Sequence, residues 1–191
     1  MINNKITVGI TQGDGNGIGY EVIIKALADA RILEGFTPIV YGSSKIFGFY
    51  KKTIHNLEPM DTYVINSAKD AKLKKINILN CLPDNVYVEP GQPSVESAKC
   101  AITSLERAVE DLRNGEIDVL ITGPINKREM VNAGFQFTGH TEYLKEAFGV
   151  KDVTMFMISA QLKIGVVTGH IPLKEVPTSI TTEKILTKLR L

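Results

Sequence analysis

The stretch Lys5-Ile-Thr-Val-Gly-Ile-Thr-Gln-Gly-Asp-Gly-Asn-Gly-Ile-Gly-Tyr-Glu21 changes its periodicity partway along. Residues 5–10 are β-branched and uncharged after Lys5, which is the mark of a short buried strand. Residues 11–19 form a glycine-rich loop, and from Tyr20 to Ala30 the spacing is helical. Val22, Ile23, Ala26, Leu27 and Ala30 make one apolar stripe there. A strand, a glycine loop and a helix in this order predict the first unit of an α/β fold.

The pattern then repeats. Residues 36–41 read as the next strand, closed by Gly42-Ser-Ser44, which should cap a helix through Tyr50. Residues 62–65 and 76–79 look like short strands, and Leu82-Pro-Asp-Asn85 and Glu89-Pro-Gly-Gln-Pro93 are turn-rich. From Ser94 a helical stripe runs through Val95, Ala98, Ile102, Leu105, Ala108, Val109 and Leu112 to a stop at Asn114-Gly115. Residues 117–122 then read as a buried strand centred on Val119-Leu-Ile121. Short helices are expected at 127–133 and 141–148, a strand pair at 153–158 and 162–167 turning at Ser159-Ala-Gln161, and a capped helix from Ile180. Strands alternating with helices predict an α/β protein with a largely parallel sheet and helices on both faces. The late hairpin predicts part of a second lobe. The expected division is 1–122 for the first lobe and 123–191 for the start of a second, dimerisation-type lobe. The helical pattern runs to Leu191 with no stop signal, so the chain reads as cut.

Composition narrows the function classes. The chain has 191 residues, 43% hydrophobic and 23% charged, as in ordinary globular proteins. A net charge of +1 offers no broad electrostatic footprint for nucleic acid. The most basic run, Lys69-Asp-Ala-Lys-Leu-Lys-Lys75, reads as a solvated helix face or turn. No apolar run has the length of a membrane span, about 20 residues, and the start is not of signal-peptide type. Cys81 and Cys100 lack CxxC spacing and are expected as free thiols in a reducing cytoplasm.

The glycine loop is not a dinucleotide fingerprint, which needs glycines at its first, third and sixth positions. Counted from Gly13, Gly15 or Gly17, the sixth position is Ile18, Tyr20 or Val22. A phosphate-binding P-loop is excluded by the missing Gly-Lys-Ser/Thr. A close-approach loop carrying Asp14 ahead of a helix N-terminus remains, and a tight turn and a ligand role both stay open.

The chemistry-bearing residues gather later, in Thr122-Gly-Pro-Ile-Asn-Lys127, Gly139-His-Thr-Glu142 and Thr168-Gly-His-Ile-Pro172. His140 and His170 each follow a glycine and lie near hydroxyl groups, shortly after a segment that reads as a strand or its loop. Imidazoles beside small residues that admit a ligand are how small-molecule and metal sites are built. His55 stands apart from these motifs and reads as a surface residue.

Together these motifs resemble the 4-hydroxythreonine-4-phosphate dehydrogenases of pyridoxal-phosphate biosynthesis. Gly13-Asp-Gly-Asn-Gly-Ile-Gly-Tyr-Glu21 is similar to that family's Gly-Asp-Pro-Ala-Gly-Ile-Gly-Pro-Glu opening. Pro90-Gly-Gln-Pro-Ser94, Ile121-Thr-Gly-Pro-Ile-Asn-Lys127, Phe137-Thr-Gly-His-Thr-Glu142 and His170-Ile-Pro-Leu173 resemble its later motifs in the same order. Three departures, Gly15, Asn16 and Tyr20 where the family usually has proline, alanine and proline, look tolerable in a turn.

The resemblance implies an isocitrate/isopropylmalate dehydrogenase-like fold and a cytoplasmic homodimer. It implies oxidation of 4-phosphohydroxy-L-threonine with NAD or NADP and a divalent metal (zinc, cobalt or magnesium), giving a 3-keto acid that decarboxylates to 3-amino-2-oxopropyl phosphate. His140 and Thr141 are implied as substrate contacts and His170 as a metal ligand. The family's other two metal histidines, in Asn-Pro-His-Ala-Gly and Tyr-His-Asp-Gln-Gly, have no counterpart in this sequence. Residues that hold the substrate phosphate and most of the cofactor are likewise expected outside it, so the chain alone is expected to be inactive. A related dehydrogenase of another phosphorylated hydroxy acid and a non-catalytic binding subunit stay open as alternatives.

Overall fold

The computed structural model describes residues 6–191. Lys5, read above as the first strand residue, and the start of the chain lie outside the described residues. The chain divides into two compact units, Met1–His140 and Thr141–Leu191.

In the first unit, five strands form one parallel sheet: β1 (Ile6–Thr11), β2 (Phe36–Gly42), β3 (Thr62–Ile65), β4 (Ile76–Asn80) and β5 (Val119–Ile121). Their order is β3-β4-β2-β1-β5. The two-residue period of the strands separates two cores. Val8, Ile10, Val40 and Ile78 pack with Tyr20, Ile23, Ile24 and Leu27 of α1 (Gly19–Leu27), and α2 (Ile32–Gly35) adds Ile32 and Leu33. Ile46, Phe47 and Tyr50 of α3 (Ser44–Thr53) complete that side. Ile39, Tyr41 and Leu79 belong to the other cluster, with Ala108 and Leu112 of α4 (Val95–Arg113). The fold is therefore a three-layer α/β sandwich with helices on both faces, as the sequence predicts. Each fully buried side chain such as Ile24 or Phe47 contributes about 1.5–3 kcal/mol to holding the layers together.

Two expectations need correcting. The buried face of α1 is Tyr20, Ile23, Ile24 and Leu27, whereas Val22, Ala26 and Ala30 are exposed. The period was helical, but Ile24 and not Val22 sets its phase. The helix stops at Leu27, and beyond it Asp29 accepts from the Arg31 amide and guanidinium in a separate turn. The strand expected at 117–122 is shorter, and it is not buried: Val119 is 45% and Ile121 49% exposed. Among the described residues β5 is the last strand of the sheet and pairs only with β1, so both of these side chains meet water. Ile117, just before it, is the residue that packs inward.

α5 (Lys127–Asn132), capped by the Asn126 side chain, follows β5 and packs on α4 through the buried Met130 region. α6 (His140–Ala147) begins one residue earlier than expected. The second unit contains the predicted antiparallel hairpin, β6 (Met155–Ile158) and β7 (Lys163–Val166), closed by a 2.8 Å bond from Ser159 N to the Leu162 carbonyl. After it come α7 (Val176–Ser179), which the sequence pattern does not set apart, and α8 (Thr182–Arg190), capped by Thr181 as predicted.

Candidate active site at the carboxyl edge of the sheet

The chain leaves β1 toward β2 on one side and later returns to place β5 on the other side of β1. In open α/β sheets this reversal opens a crevice outside the carboxyl ends of the two strands, and ligands bind there. Two loops meet at that point, the glycine loop after β1 and the Thr122-Gly-Pro-Ile-Asn-Lys127 segment after β5.

The loops touch backbone to backbone. Asp14 N donates to the Pro124 carbonyl at 2.8 Å, and Gly123 N reaches both the carbonyl and Oγ1 of Thr11 at 3.1 and 3.0 Å. Gly13 has φ +69°, and a Cβ there would lie 2.3 Å from the Pro124 oxygen. A Cβ on Gly123 would lie 2.6 Å from the Thr11 oxygen. Neither position has room for a side chain, which is why glycine stands at both.

Beneath the loop lies a polar layer with little apolar signature. Gln12 is fully buried; its Oε1 accepts from the Tyr20 hydroxyl at 2.5 Å and its backbone N donates to Ser104 Oγ at 3.2 Å. Ser104 Oγ in turn donates to the Tyr41 carbonyl at 2.7 Å. Ser97 Oγ donates to Asp14 Oδ1 at 2.5 Å. Asn16, which the sequence reading treated as a tolerable turn residue, is buried and bonded to residues 89, 92 and 94. Tyr20, another of those departures, is buried completely and accepts from Ser43 N at 2.9 Å. Ser97, Ser104 and Asn16 were missed because isolated polar residues at helix and loop positions carry no periodic signal. The signal available was that Ser97 and Ser104 fall on the same face of α4 as Ala101 and Ala108.

His140 is half-buried and opens α6 at the end of the first unit. Burial, and then the Lys127 ammonium, hold its imidazole below the usual histidine range, so it is neutral at pH 7. Lys127 itself is exposed. Thr141, its neighbour in the same helix, is exposed and begins the second unit. His170 is exposed in the second unit, between β7 and a 3-10 turn at Leu173–Glu175. Among the described residues no group of three or more His, Cys, Asp or Glu side chains could hold a metal ion. A catalytic zinc usually keeps three protein ligands, so the described residues do not by themselves fit a resident metal.

A family model described as pyridoxal phosphate biosynthetic protein PdxA matches residues 34–191. A 4-hydroxythreonine-4-phosphate dehydrogenase of Bacteroides thetaiotaomicron is 42% identical over 190 residues, covering 99% of this chain and 52% of the relative. A Clostridium botulinum protein provisionally named D-threonate 4-phosphate dehydrogenase is 30% identical, covering 97% of this chain and 56% of its own length. The crystal structure of a 4-hydroxythreonine-4-phosphate dehydrogenase from Burkholderia phymatum superposes with a TM-score of 0.86 at 30% identity, covering 98% of this chain and 57% of that one. The chain thus spans about half the length of the curated relatives it matches. It belongs to the PdxA family of pyridoxal phosphate biosynthetic proteins.

Proposed function

We propose that this chain supplies the substrate-facing half of a nicotinamide-dependent dehydrogenase of 4-phosphohydroxy-L-threonine. The observation that carries the reading is His140: a half-buried imidazole at the start of α6, within a chain matched along 99% of its length by a relative of that name. The overall reaction oxidises the secondary alcohol to a 3-keto acid, with the hydride going to NAD or NADP, and the acid loses carbon dioxide to give 3-amino-2-oxopropyl phosphate.

The chain's own residues then have these roles. A neutral imidazole at position 140 has a free lone pair and one N–H, so it can orient a substrate hydroxyl as acceptor or donor. Thr141, in the second unit, is proposed as a hydroxyl contact of its own at the start of α6, where helix polarity favours an anionic ligand. Within the first unit, the stitched loops at Gly13 and Gly123 hold the carboxyl ends of β1 and β5 in fixed register. His170 is proposed as one ligand of a divalent-metal site whose remaining ligands this sequence does not contain. No step is routed through that metal, because the described residues do not make a site for it. The glycine loop is not a dinucleotide fingerprint, so most of the cofactor contacts are likewise assigned elsewhere.

Homodimeric assembly, a cytoplasmic location and a lobe boundary at 122/123 belong to the same reading of the whole protein. A second substrate is favoured by one observation, the D-threonate 4-phosphate name carried by the Clostridium botulinum relative.

The test is NADH production by the purified 191-residue chain with either phosphorylated compound, NAD, and zinc or magnesium. No turnover is expected from the chain alone. In a longer product of the same reading frame, turnover is expected with 4-phosphohydroxythreonine, and His170→Ala should abolish most of the metal-dependent part. Turnover by the chain alone at the rate of a full-length relative would overturn the half-enzyme reading. Full activity of His170→Ala at saturating metal would overturn the ligand assignment.

A further inference from the structure

Asn16 ties two loops together with every part of its side chain. Nδ2 donates to the Gln92 carbonyl at 2.8 Å and to Ser94 Oγ at 3.2 Å, and Oδ1 accepts from Glu89 N at 2.8 Å. Its backbone carbonyl accepts from Gly91 N at 2.8 Å. All four bonds land on residues 89–94, a turn that is otherwise exposed and has no helix or strand to hold it. The donors and acceptors fix which way the carboxamide points. Asn16 is itself only 5% exposed, so these bonds are made away from water, where an unmade one is costly.

The strap continues to a carboxylate. Ser94 caps α4 by accepting from Ser97 N at 3.1 Å, and Ser97 Oγ donates to Asp14 Oδ1 at 2.5 Å. The Asn16 amide reaches the same pair, at 3.0 Å to Asp14 Oδ1 and 3.2 Å to Ser97 Oγ. Asp14 Oδ2 has no hydrogen bond or ion pair among the described residues, and Asp14 is half-buried at the carboxyl edge of β1. Asn16 also walls a cavity of about 440 Å³ together with Val86, Tyr87, Ser94 and Cys100. Alanine, the usual residue at this position by the resemblance noted above, could make none of the three side-chain bonds.

We propose that Asn16 is a positioning residue: by strapping residues 89–94 to the glycine loop it fixes the Asp14 carboxylate, whose free oxygen accepts a hydrogen bond from a hydroxyl or ammonium group of the bound phosphorylated compound. The ligand's identity rests on the proposed function; the strap does not.

The experiment combines amide hydrogen exchange with a ligand titration followed by NMR, on the 191-residue chain and its Asn16→Ala and Asp14→Asn variants. Asn16→Ala should raise exchange at least tenfold at the Glu89 and Gly91 amides while β1 and β2 amides keep wild-type protection. It should also weaken binding of 4-phosphohydroxythreonine at least fivefold. Asp14→Asn should weaken binding similarly but leave exchange at residues 89 and 91 unchanged. D-threonate 4-phosphate carries a hydroxyl where the amino compound carries its ammonium, so a loss confined to the amino compound identifies the ammonium as the donor, and an equal loss shows that a donor present at the same position of both compounds is read. Should Asn16→Ala fold poorly, Asn16→Asp keeps the acceptor for Glu89 but loses the donor to Gln92, and a smaller rise in exchange is expected. Unchanged exchange at Glu89 and Gly91 overturns the strap. Faster exchange with unaltered affinity leaves a structural brace and overturns the positioning role. If the wild-type chain binds neither compound, the positioning role is overturned while the exchange result still decides the strap; the substrate reading, whose phosphate contacts are assigned outside this chain, is decided separately by the turnover test above.

Discussion

Gly42 and Tyr20 share one space: a Cβ at position 42 would lie 2.3 Å from the Tyr20 hydroxyl oxygen and 2.7 Å from Gln12 Oε1. The Tyr20 ring is completely buried, stacked on Tyr50 with centroids 5.7 Å apart and set edge-on to Phe47. The hydroxyl has no easy retreat. Gly42→Ala is therefore expected to destabilise the first unit by about 1–3 kcal/mol through overpacking. A urea titration should show a lower midpoint with an unchanged slope. Adding Tyr20→Phe should recover only part of the loss, because the approach to Gln12 remains.

Alkaline stability should report on the buried tyrosines. Burial raises the Tyr20 phenol well above the usual range, and Tyr41 is raised by burial and then by its 2.7 Å hydrogen bond to Asp111. Tyr50 is raised too, chiefly by burial. The unfolded chain releases each of these protons near pH 10, whereas the fold keeps them. The stabilisation is thus fully present below about pH 10 and is lost as pH rises beyond it, by about 1.4 kcal/mol per pH unit for each of Tyr20 and Tyr41. Tyr20→Phe and Tyr41→Phe should each flatten the fall seen in urea titrations between pH 10 and 11. A slope that ignores both substitutions would contradict the assignment.

These tyrosines mark the limit of what the sequence conveys. The strand–helix alternation, the parallel sheet and the late hairpin follow from periodicity, because burial of β-branched runs and helical stripes leaves a regular trace. The polar layer under the glycine loop leaves only the shared face of Ser97 and Ser104 on α4. Gln12, Asn16, Ser97, Ser104 and Asp111 are buried by long-range hydrogen bonds whose partners lie far along the chain. Their burial depends on which loops the fold brings together. β5 was misread for the opposite reason: an apolar run looks the same whether a strand is central or, as here, an edge. His140 was legible because Gly139, Thr141 and Glu142 surround it in sequence, but the effect of the Lys127 charge on it required the fold.

That effect can be measured directly. Burial is the larger cause of the lowered His140 value and the Lys127 charge the next, so Lys127→Met should move the imidazole upward without restoring the ordinary value of about 6.5. An NMR titration of the ring protons would show it. Because the fold prefers the neutral ring, the associated stability is present above about pH 6.5 and is lost as pH falls below it. A titration that does not respond to Lys127→Met would separate the two residues. It would also leave burial as the cause of the lowered value.

The two units should differ sharply in resistance to opening. The first buries Tyr20, Ile24, Ile39, Phe47, Ile78 and Leu105 almost completely, whereas no residue of Thr141–Leu191 is buried. Phe156 and Ile158 of β6 are 54% and 69% exposed, and on α8 Leu189 is 77% exposed. An isolated two-stranded hairpin is marginal in water, and a helix as short as α8 gains little without a packed face. Lys188 does reach Asp152 and the Val153 carbonyl, but a few polar ties do not replace a core. In brief trypsin digestion, cleavage is expected first at Lys145, Lys151, Lys163 and Lys174, leaving a protected product that ends close to His140. Amides of β1, β2 and β4 should exchange orders of magnitude more slowly than those of β6 and β7. Equal protection across both units would mean that the second unit has found a packing partner, such as a second copy of the chain, and repeating the digestion across protein concentrations would reveal it.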